Sequence, residues 1–259
     1  MLMQYVKEKA KLSILLPVRN EGINVEIMLK ILSVVIEVPH EILVIYDSKD
    51  DDCIATVSRL RPRFSNVNLV YNSLGRGVAN AIRSGVNRAK GKYILIFAVD
   101  EVGPALAIEE MLELMDEGCD LVSCTRYAYG GRRLGGSFIG GLLSRAGNRI
   151  FRLMSGSVLT DSTTGIKMFR KSIFNTIRLE ASPVGWAVVF ELAIKAQAAG
   201  MKLGEVPIVS IDRLYGGSST FSLGPWFKEY LKWFFWGIKN MKRTGIKKTI
   251  VRIPKSTAR

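Results

Sequence analysis

The sequence predicts an α/β fold, a mainly parallel twisted sheet flanked by helices. Three observations carry that expectation. Short apolar runs alternate with stretches of roughly ten to fifteen residues that read as helix, the pattern of crossover connections between parallel strands. Several runs stop on polar groups, at Asn20-Glu21, Asp47 and Asp100, and an open parallel sheet presents its ligands beyond the carboxyl ends of its strands. The 259 residues are 48% hydrophobic, enough for a sizeable core and too apolar for wholesale disorder.

The elements follow in order. A short strand over Leu12 to Leu16 ends at Pro17, and Asn20-Glu21 leads into a helix over Asn24 to Ile36. A second strand, Glu41 to Tyr46, ends in Asp47; the acidic turn Asp50-Asp51-Asp52 then opens a helix to about Leu60, where carboxylates suit the N-terminal dipole. Asn68 to Tyr71 is a third strand, and Gly75 and Gly77 punctuate the turn before a helix over Val78 to Ala89. The turn resembles the start of a dinucleotide fingerprint, but Asn80 holds the third glycine's place. It reads instead as a turn bringing Arg76 and backbone amides near the site.

Tyr93 to Val99 is an apolar run between Gly91 and Gly103-Pro104, a strand buried on both faces that stops on Asp100-Glu101. Hard oxygen ligands there suit Mg²⁺ or Mn²⁺ bridging a nucleotide's phosphates; a solvated turn, or an acid capping the next helix, is the plainer alternative. A helix from Pro104 to Glu117 with a Gly118 stop and a strand over Leu121 to Cys124 come next. From Tyr127 to Gly147 glycine is dense, with Arg132, Arg133 and Arg145 among the glycines; this predicts a mobile, anion-capturing loop, or else a solvated one. Helix over Ser144 to Met154, strand over Ile166 to Phe169, helix over Trp186 to Ala199 and strand over Leu203 to Ile211 complete the pattern.

Net charge is +14, from 37 basic and 23 acidic residues, which predicts an anionic partner such as nucleotide phosphates, nucleic acid or an acidic membrane surface. Cys53, Cys119 and Cys124 lack paired spacing and read as small buried side chains in a reducing compartment. His40 is the only histidine, and no triad or two-histidine metal motif surrounds it. Chemistry should then run on carboxylates, cations and backbone amides. Lys7, Lys9 and Lys11 interrupt any secretory signal and no spanning apolar stretch occurs, so the expectation is a cytoplasmic chain, soluble or peripheral on the cytoplasmic face of the membrane.

After Glu229 there are no acidic residues and nine Lys or Arg, with Trp226, Phe227, Tyr230, Trp233, Phe234, Phe235 and Trp236 ahead of or among them. Residues 224–259 therefore read as an amphipathic, interfacial segment following a domain over 1–223. A core helix with a disordered basic tail is the alternative.

The ordered segments PVRNE (17–21), YDSKDDD (46–52), GRGVANAI (75–82), VDEVGP (99–104), SCTRY (123–127), DSTTGIKMFR (161–170), GWAVVFELAIKA (185–196) and GEVPIVSIDRLYGGSS (204–219) together resemble the family 2 glycosyltransferases, and within them the dolichol-phosphate mannosyltransferase-like branch. The resemblance implies a GT-A fold, a nucleotide-sugar donor (GDP-mannose or UDP-glucose), a divalent Mg²⁺ or Mn²⁺, a polyprenyl-phosphate acceptor (dolichyl or undecaprenyl) and inversion at the anomeric carbon. By the same resemblance Pro17, Arg19, Asn20 and Glu21 line the nucleotide pocket, Asp47 meets the base or ribose, and Arg76 and Gly77 lie under the nucleotide. Asp100 is the metal ligand, Arg126 meets phosphate, and Arg213 and Ser218 close over the donor; Asp100, Arg126 and Arg213 are the catalytic set. The acceptor phosphate falls to Arg126 with Ser144, Arg145, Arg132 and Arg133. Three positions depart from the family pattern: Ala98 stands where an aspartate is usual, Tyr46 replaces the first acid of the base-binding pair, and Gly140 stands four residues before Ser144 where an arginine is frequent. Metal would then rest on Asp100, Glu101, diphosphate and waters.

A lipid phosphate monoester is already ionised near neutral pH, so it attacks a sugar without a general base. Positioning and preorganised cations then carry catalysis. A family 2 enzyme with a saccharide acceptor would need a carboxylate base, for which Asp161 and Glu191 are candidates, each equally readable as structural. A degenerate nucleotide- or nucleic-acid-binding protein is a third reading; the tail clustering of the cations and the lack of an aromatic RNA motif weigh against nucleic acid.

Overall fold

The structure, a computed structural model, describes residues 10–135, 138–211, 223–241 and 253–254. Its centre is a seven-stranded sheet made of β1 (Leu12–Pro17), β2 (His40–Tyr46), β3 (Val67–Tyr71), β4 (Tyr93–Ile96), β5 (Leu121–Thr125), β7 (Lys167–Arg170) and β8 (Leu203–Pro207), in the order β3-β2-β1-β4-β7-β5-β8. A second, two-stranded sheet pairs β6 (Arg132–Leu134) with β9 (Val209–Ile211). All main-sheet pairings are parallel except those of β7, which runs antiparallel between β4 and β5. The chain starts at β1, winds outward through β2 and β3, then crosses back to lay β4 on the other side of β1. That reversal opens a crevice between the carboxyl ends of β1 and β4, the place where such sheets hold ligands.

Strand alternation divides the core in two. On β1, Leu12, Ile14 and Leu16 join one buried cluster and Leu15 the other, as the two-residue period of a strand requires. The first cluster is closed by α1 (Gly22–Val35), α2 (Asp52–Leu60) and α4 (Ile108–Asp116); the second by α3 (Val78–Arg88), α5 (Phe138–Ser155), α6 (Ala187–Ala198) and α7 (Leu223–Met241). The helices that cover the sheet form where apolar residues recur on one face. Val25, Met28, Leu29 and Leu32 do so on α1, and Cys53, Val57 and Leu60 on α2; each such side chain removed from water contributes about 1.5–3 kcal/mol. α6 is buried at almost every position and lies inside the molecule. No helix among the described residues is long and apolar enough to cross a membrane.

The structure departs from the expected elements in three places. The run Tyr93 to Val99 pairs only to Ile96, although Phe97 and Val99 stay buried as the chain turns out of the sheet. The glycine-rich stretch 127–147 is ordered in two parts: Arg132–Leu134 pairs as β6, and α5 begins at Phe138, ahead of the expected Ser144. Packing overrides glycine's poor helix propensity there, because the buried residues Asn148, Phe151 and Ser155 fix one face and the helix extends upstream from them. The strand expected over Leu203 to Ile211 breaks at Ile208, whose N–H and C=O bond Thr125 and Arg132, so that β9 belongs to the small sheet.

Candidate functional site

The edge formed by β2, β1 and β4 collects the expected donor-side residues. Leaving β1, the backbone N–H of Val18 still bonds Ile45 O of β2 at 2.9 Å; Arg19 and Asn20 then emerge exposed, Asn20 with a positive φ of 53°. That loop is held from below by the start of α2. Asp51 caps α2 by accepting from Cys53 N at 2.9 Å and also accepts from Asn20 N at 3.1 Å, while Asp52 accepts from Gly22 N at 3.0 Å. Asp51, Asp52 and Cys53 cluster closely enough for a metal, but the backbone donors that the two carboxylates hold make them an anchor for the 19–22 loop. Cys53 is no ready thiolate either, since burial raises its pKa far above the usual value.

Asp47, at the end of β2, accepts from Gly77 N at 3.2 Å through Oδ2, while its Oδ1 is buried with no hydrogen-bond partner. An orphaned buried carboxylate oxygen costs free energy unless a donor arrives, and the N–H or O–H groups of a nucleoside are donors of that kind. Gly77 makes this possible. Its φ is 113° and a Cβ would lie 1.9 Å from Pro183 O, so any side chain would push the turn off Asp47. Arg76 beside it is exposed, and Pro17 and Glu21 are half-buried.

Asp100 and Glu101 follow β4 on the other side of the crevice, both half-buried. Glu101 Oε2 accepts from Ser210 Oγ of β9 at 3.2 Å. The next turn is pressed against the same strand, because a Cβ on Gly103 would sit 2.0 Å from Val209 O. The small sheet thus braces the acidic loop. Ala98 offers no ligand atom, so the carboxylate oxygens this turn presents are those of Asp100 and Glu101. These are hard oxygens, which fit a Mg²⁺ or Mn²⁺ ion that keeps waters and leans on diphosphate.

Past the acidic loop lies a buried charge network that the motifs only half announce. Arg126, at the end of β5, donates from Nε to Asp161 Oδ2 at 2.7 Å and from Nη2 to Asp161 Oδ1 at 3.1 Å, a two-point pairing. Burial opposes both charges, yet their attraction prevails: Asp161 is held below the usual carboxylate range and Arg126 above its ordinary value, with Glu101 adding to the latter. Thr163 Oγ1 donates to Asp161 at 3.1 Å and receives Asn148 Nδ2 of α5 at 2.8 Å, and Tyr127 OH lies 2.8 Å from Ser144 Oγ.

Beneath this pair, Glu205 of β8 accepts from the backbone N–H of Thr160 at 2.7 Å and of Asp161 at 3.1 Å. Burial pushes its pKa up to about 7 despite these bonds. Lys167 of β7 is wholly enclosed and donates to Ser123 Oγ at 2.8 Å; burial lowers its pKa to about 8 against the pull of Asp161. Sequence reasoning missed Glu205 and Lys167. Their signal was a single charge inside an apolar strand, LGEVP and IKMF, where a charge survives only if paired.

The remaining expected residues scatter. Ser144 faces inward on α5, whereas Arg145 is exposed; Arg132 is exposed on β6 and Arg133 half-buried. Glu191 is fully buried on α6, where its carboxylate accepts from Glu180 N at 2.6 Å and Ala181 N at 2.7 Å and meets Lys195 Nζ at 2.7 Å. Arg213 and Ser218 lie outside the described residues. His40 sits at the opposite end of the sheet, at the start of β2, with Nδ1 2.8 Å from Val38 O. The three cysteines are buried and unbridged.

A model of the family described as glycosyl transferase family 2 matches residues 13–178. The dolichol-phosphate mannosyltransferase of Pyrococcus furiosus is 24% identical over 86% of this chain and 62% of its own length; the glycosyltransferase AglD of Haloferax volcanii is 26% identical over 76% of this chain and 32% of its own. The chain therefore spans between a third and three fifths of these relatives. Among solved structures, glucosyl-3-phosphoglycerate synthase from Mycobacterium tuberculosis, in complex with Mn²⁺, UDP and glucosyl-3-phosphoglycerate, superposes with a TM-score of 0.68 at 17% identity, covering 90% of this chain and 81% of that one. The fold is GT-A.

Proposed function

This chain belongs to glycosyl transferase family 2, and from that premise we propose that it moves a hexose, mannose or glucose, from a nucleotide sugar to a polyprenyl phosphate with inversion at the anomeric carbon. The observation that carries the acceptor class is the state of Asp161 and Glu191, the two carboxylates the sequence offers as a base. Asp161 is locked onto Arg126 and Glu191 onto two backbone N–H groups and Lys195. Neither is set to take a proton from a hydroxyl. An acceptor that arrives ionised needs no base, and a phosphate monoester does so near neutral pH.

In this reading Asp47 receives donor groups of the nucleoside at its open oxygen, with the 17–21 loop and the Arg76-Gly77 turn around it. Asp100, with Glu101 beside it, would hold a divalent ion, whose positive charge would offset that of the diphosphate. Arg126, aimed by Asp161 and largely buried, draws the acceptor phosphate towards the same rim, helped by Ser144 and by Arg132, Arg133 and Arg145 from neighbouring elements. Arg213 and Ser218 close the donor side. An oxygen of the acceptor phosphate forms a bond to the anomeric carbon as the bond from that carbon to the diphosphate oxygen breaks. The electron pair leaves with the nucleoside diphosphate, and no proton need move. Two anions must be brought in line, which is work for fixed cations in a site shielded from water. Residues 224–259 hold the enzyme at the bilayer surface, on the cytoplasmic face, where the lipid acceptor resides.

Offering polyprenyl phosphate and the matching polyprenol in parallel, with labelled donor, tests this reading. Label should enter the lipid phase only with the phosphate. Equal transfer to the alcohol would overturn the acceptor assignment.

A further inference from the structure

Residues 179–185, just ahead of α6, form neither helix nor strand, so their backbone polar groups need partners from elsewhere. Charged side chains of three helices supply them. Arg83 of α3 donates from Nη2 to Leu179 O at 3.0 Å and to Ala181 O at 3.1 Å. Glu191 of α6 takes the N–H groups of Glu180 and Ala181. Glu229 of α7 takes the next one, accepting from Ser182 N at 2.9 Å through Oε1. The segment is a strap tied down at successive residues.

Beyond its last tie the strap meets the donor side of the site. Pro183 has no N–H to be held by, and its carbonyl crowds Gly77, where a Cβ would lie 1.9 Å away. Gly77 N in turn donates to Asp47 Oδ2 at 3.2 Å. α7 grips the strap on both sides of Pro183. Glu229 holds Ser182 before it, and Trp226 packs on Gly185 after it, where a Cβ would lie 2.5 Å from the indole Cδ2. Trp226 and Glu229 are three residues apart and so share one face of the helix.

α7 does not depend on Glu229 to stay in place. Trp233 is buried, and Phe234 meets Phe151 of α5 at 5.2 Å. A carboxylate buried there costs free energy unless it is used, and its use is the strap, with Trp233 Nε1 donating to the same Oε1 at 3.0 Å to fix its direction. We infer that Glu229 and Trp226 are positioning residues for the donor nucleotide: through Ser182, Pro183 and Gly77 they set where the Asp47 carboxylate stands. The inference deepens the proposed function, and its meaning for the donor rests on the reading that Asp47 receives the nucleoside.

Two measurements on the full chain test it. In nucleotide-free protein, Glu229→Ala should speed amide exchange at Gly77 about tenfold, and Glu229→Gln, which keeps an acceptor oxygen for Ser182 N, should restore it. Phe234→Ala, which loosens α7 against Phe151 away from the strap, should lower thermal stability and leave Gly77 exchange as in wild type. By calorimetry, Glu229→Ala should weaken binding of UDP or GDP, whichever wild type binds, about tenfold. In an Asp47→Asn background the same change should cost less than about twofold, because both changes act on one contact. Trp226→Leu, which slackens the strap at Gly185 instead, serves if Glu229→Ala disturbs folding.

Gly77 exchange unchanged by Glu229→Ala, or slowed and quickened equally by every change that destabilises α7, would overturn the inference. So would a loss of nucleotide affinity that simply adds to that of Asp47→Asn. Faster Gly77 exchange in Glu229→Ala, together with nucleotide affinity indifferent to Asp47→Asn, would leave the strap holding Gly77 and sink the donor role given to Asp47.

Discussion

Arg126 and Asp161 face each other through two hydrogen bonds, Nε to Oδ2 at 2.7 Å and Nη2 to Oδ1 at 3.1 Å, with the aspartate fully buried and the arginine side chain 14% exposed. Neither charge has an easy substitute partner. Asp161→Ala strands a guanidinium in a nearly dry site and should destabilise the fold by about 3–5 kcal/mol in urea unfolding. Arg126→Lys keeps the charge but loses the two-point geometry; it should preserve most stability while sharply lowering kcat in a transfer assay.

Asp47 makes a prediction about the donor alone. Asp47→Asn keeps an acceptor for Gly77 N but converts the open carboxylate oxygen to a neutral amide. Nucleoside-diphosphate affinity should fall about ten- to a hundredfold by calorimetry, the worth of a hydrogen bond to a charged group, with stability changed by less than about 1 kcal/mol.

Two glycines of similar backbone geometry separate strain from contact. Gly77 has φ 113° and Pro183 O in the way of a side chain; Gly118 has φ 102° and nothing within 4 Å. Gly118→Ala should cost only the strain of a left-handed conformation, about 1–2 kcal/mol. Gly77→Ala should cost more in thermal unfolding and also weaken nucleotide binding, because it moves the partner of Asp47.

Glu205 predicts a pH dependence. Its carboxyl is raised from 4.5 to about 7, so the folded chain holds a proton there that the unfolded chain releases, and this group's contribution to stability falls as pH rises through that window. Glu205→Gln removes the proton exchange. The stability difference between variant and wild type should therefore slope between pH 5 and 7 and flatten above it. Lys167, lowered to about 8, acts in the opposite sense at higher pH and does not overlap.

Chain order made much of this legible. A run of apolar residues ending in an acid, repeated between helical stretches, says that Asp47 and Asp100 stand at the same edge of a parallel sheet, and they do. The direction of β7 was not legible, because a four-residue strand reads the same either way and only its neighbours β4 and β5 orient it. The early start of α5 was hidden by Gly140 and Gly141, whose local preference opposes a helix that the packing of Phe151 and Asn148 decides. Glu191 and Glu205 look alike as single acids in apolar elements; only the tertiary fold shows that one binds the 180–181 backbone and the other the loop that aims Arg126.

The most direct test of the central claim, that the rim of β2, β1 and β4 holds a nucleoside diphosphate with a divalent ion at Asp100, is a thermal-shift panel of UDP and GDP with and without Mn²⁺, since a ligand of the folded state raises its stability by mass action. Wild type should be stabilised by one diphosphate, more so with Mn²⁺, and Asp100→Asn should erase the metal-dependent increment while Asp47→Asn diminishes the whole shift. A metal increment that survives Asp100→Asn, or a nucleotide shift indifferent to both changes, would contradict the account.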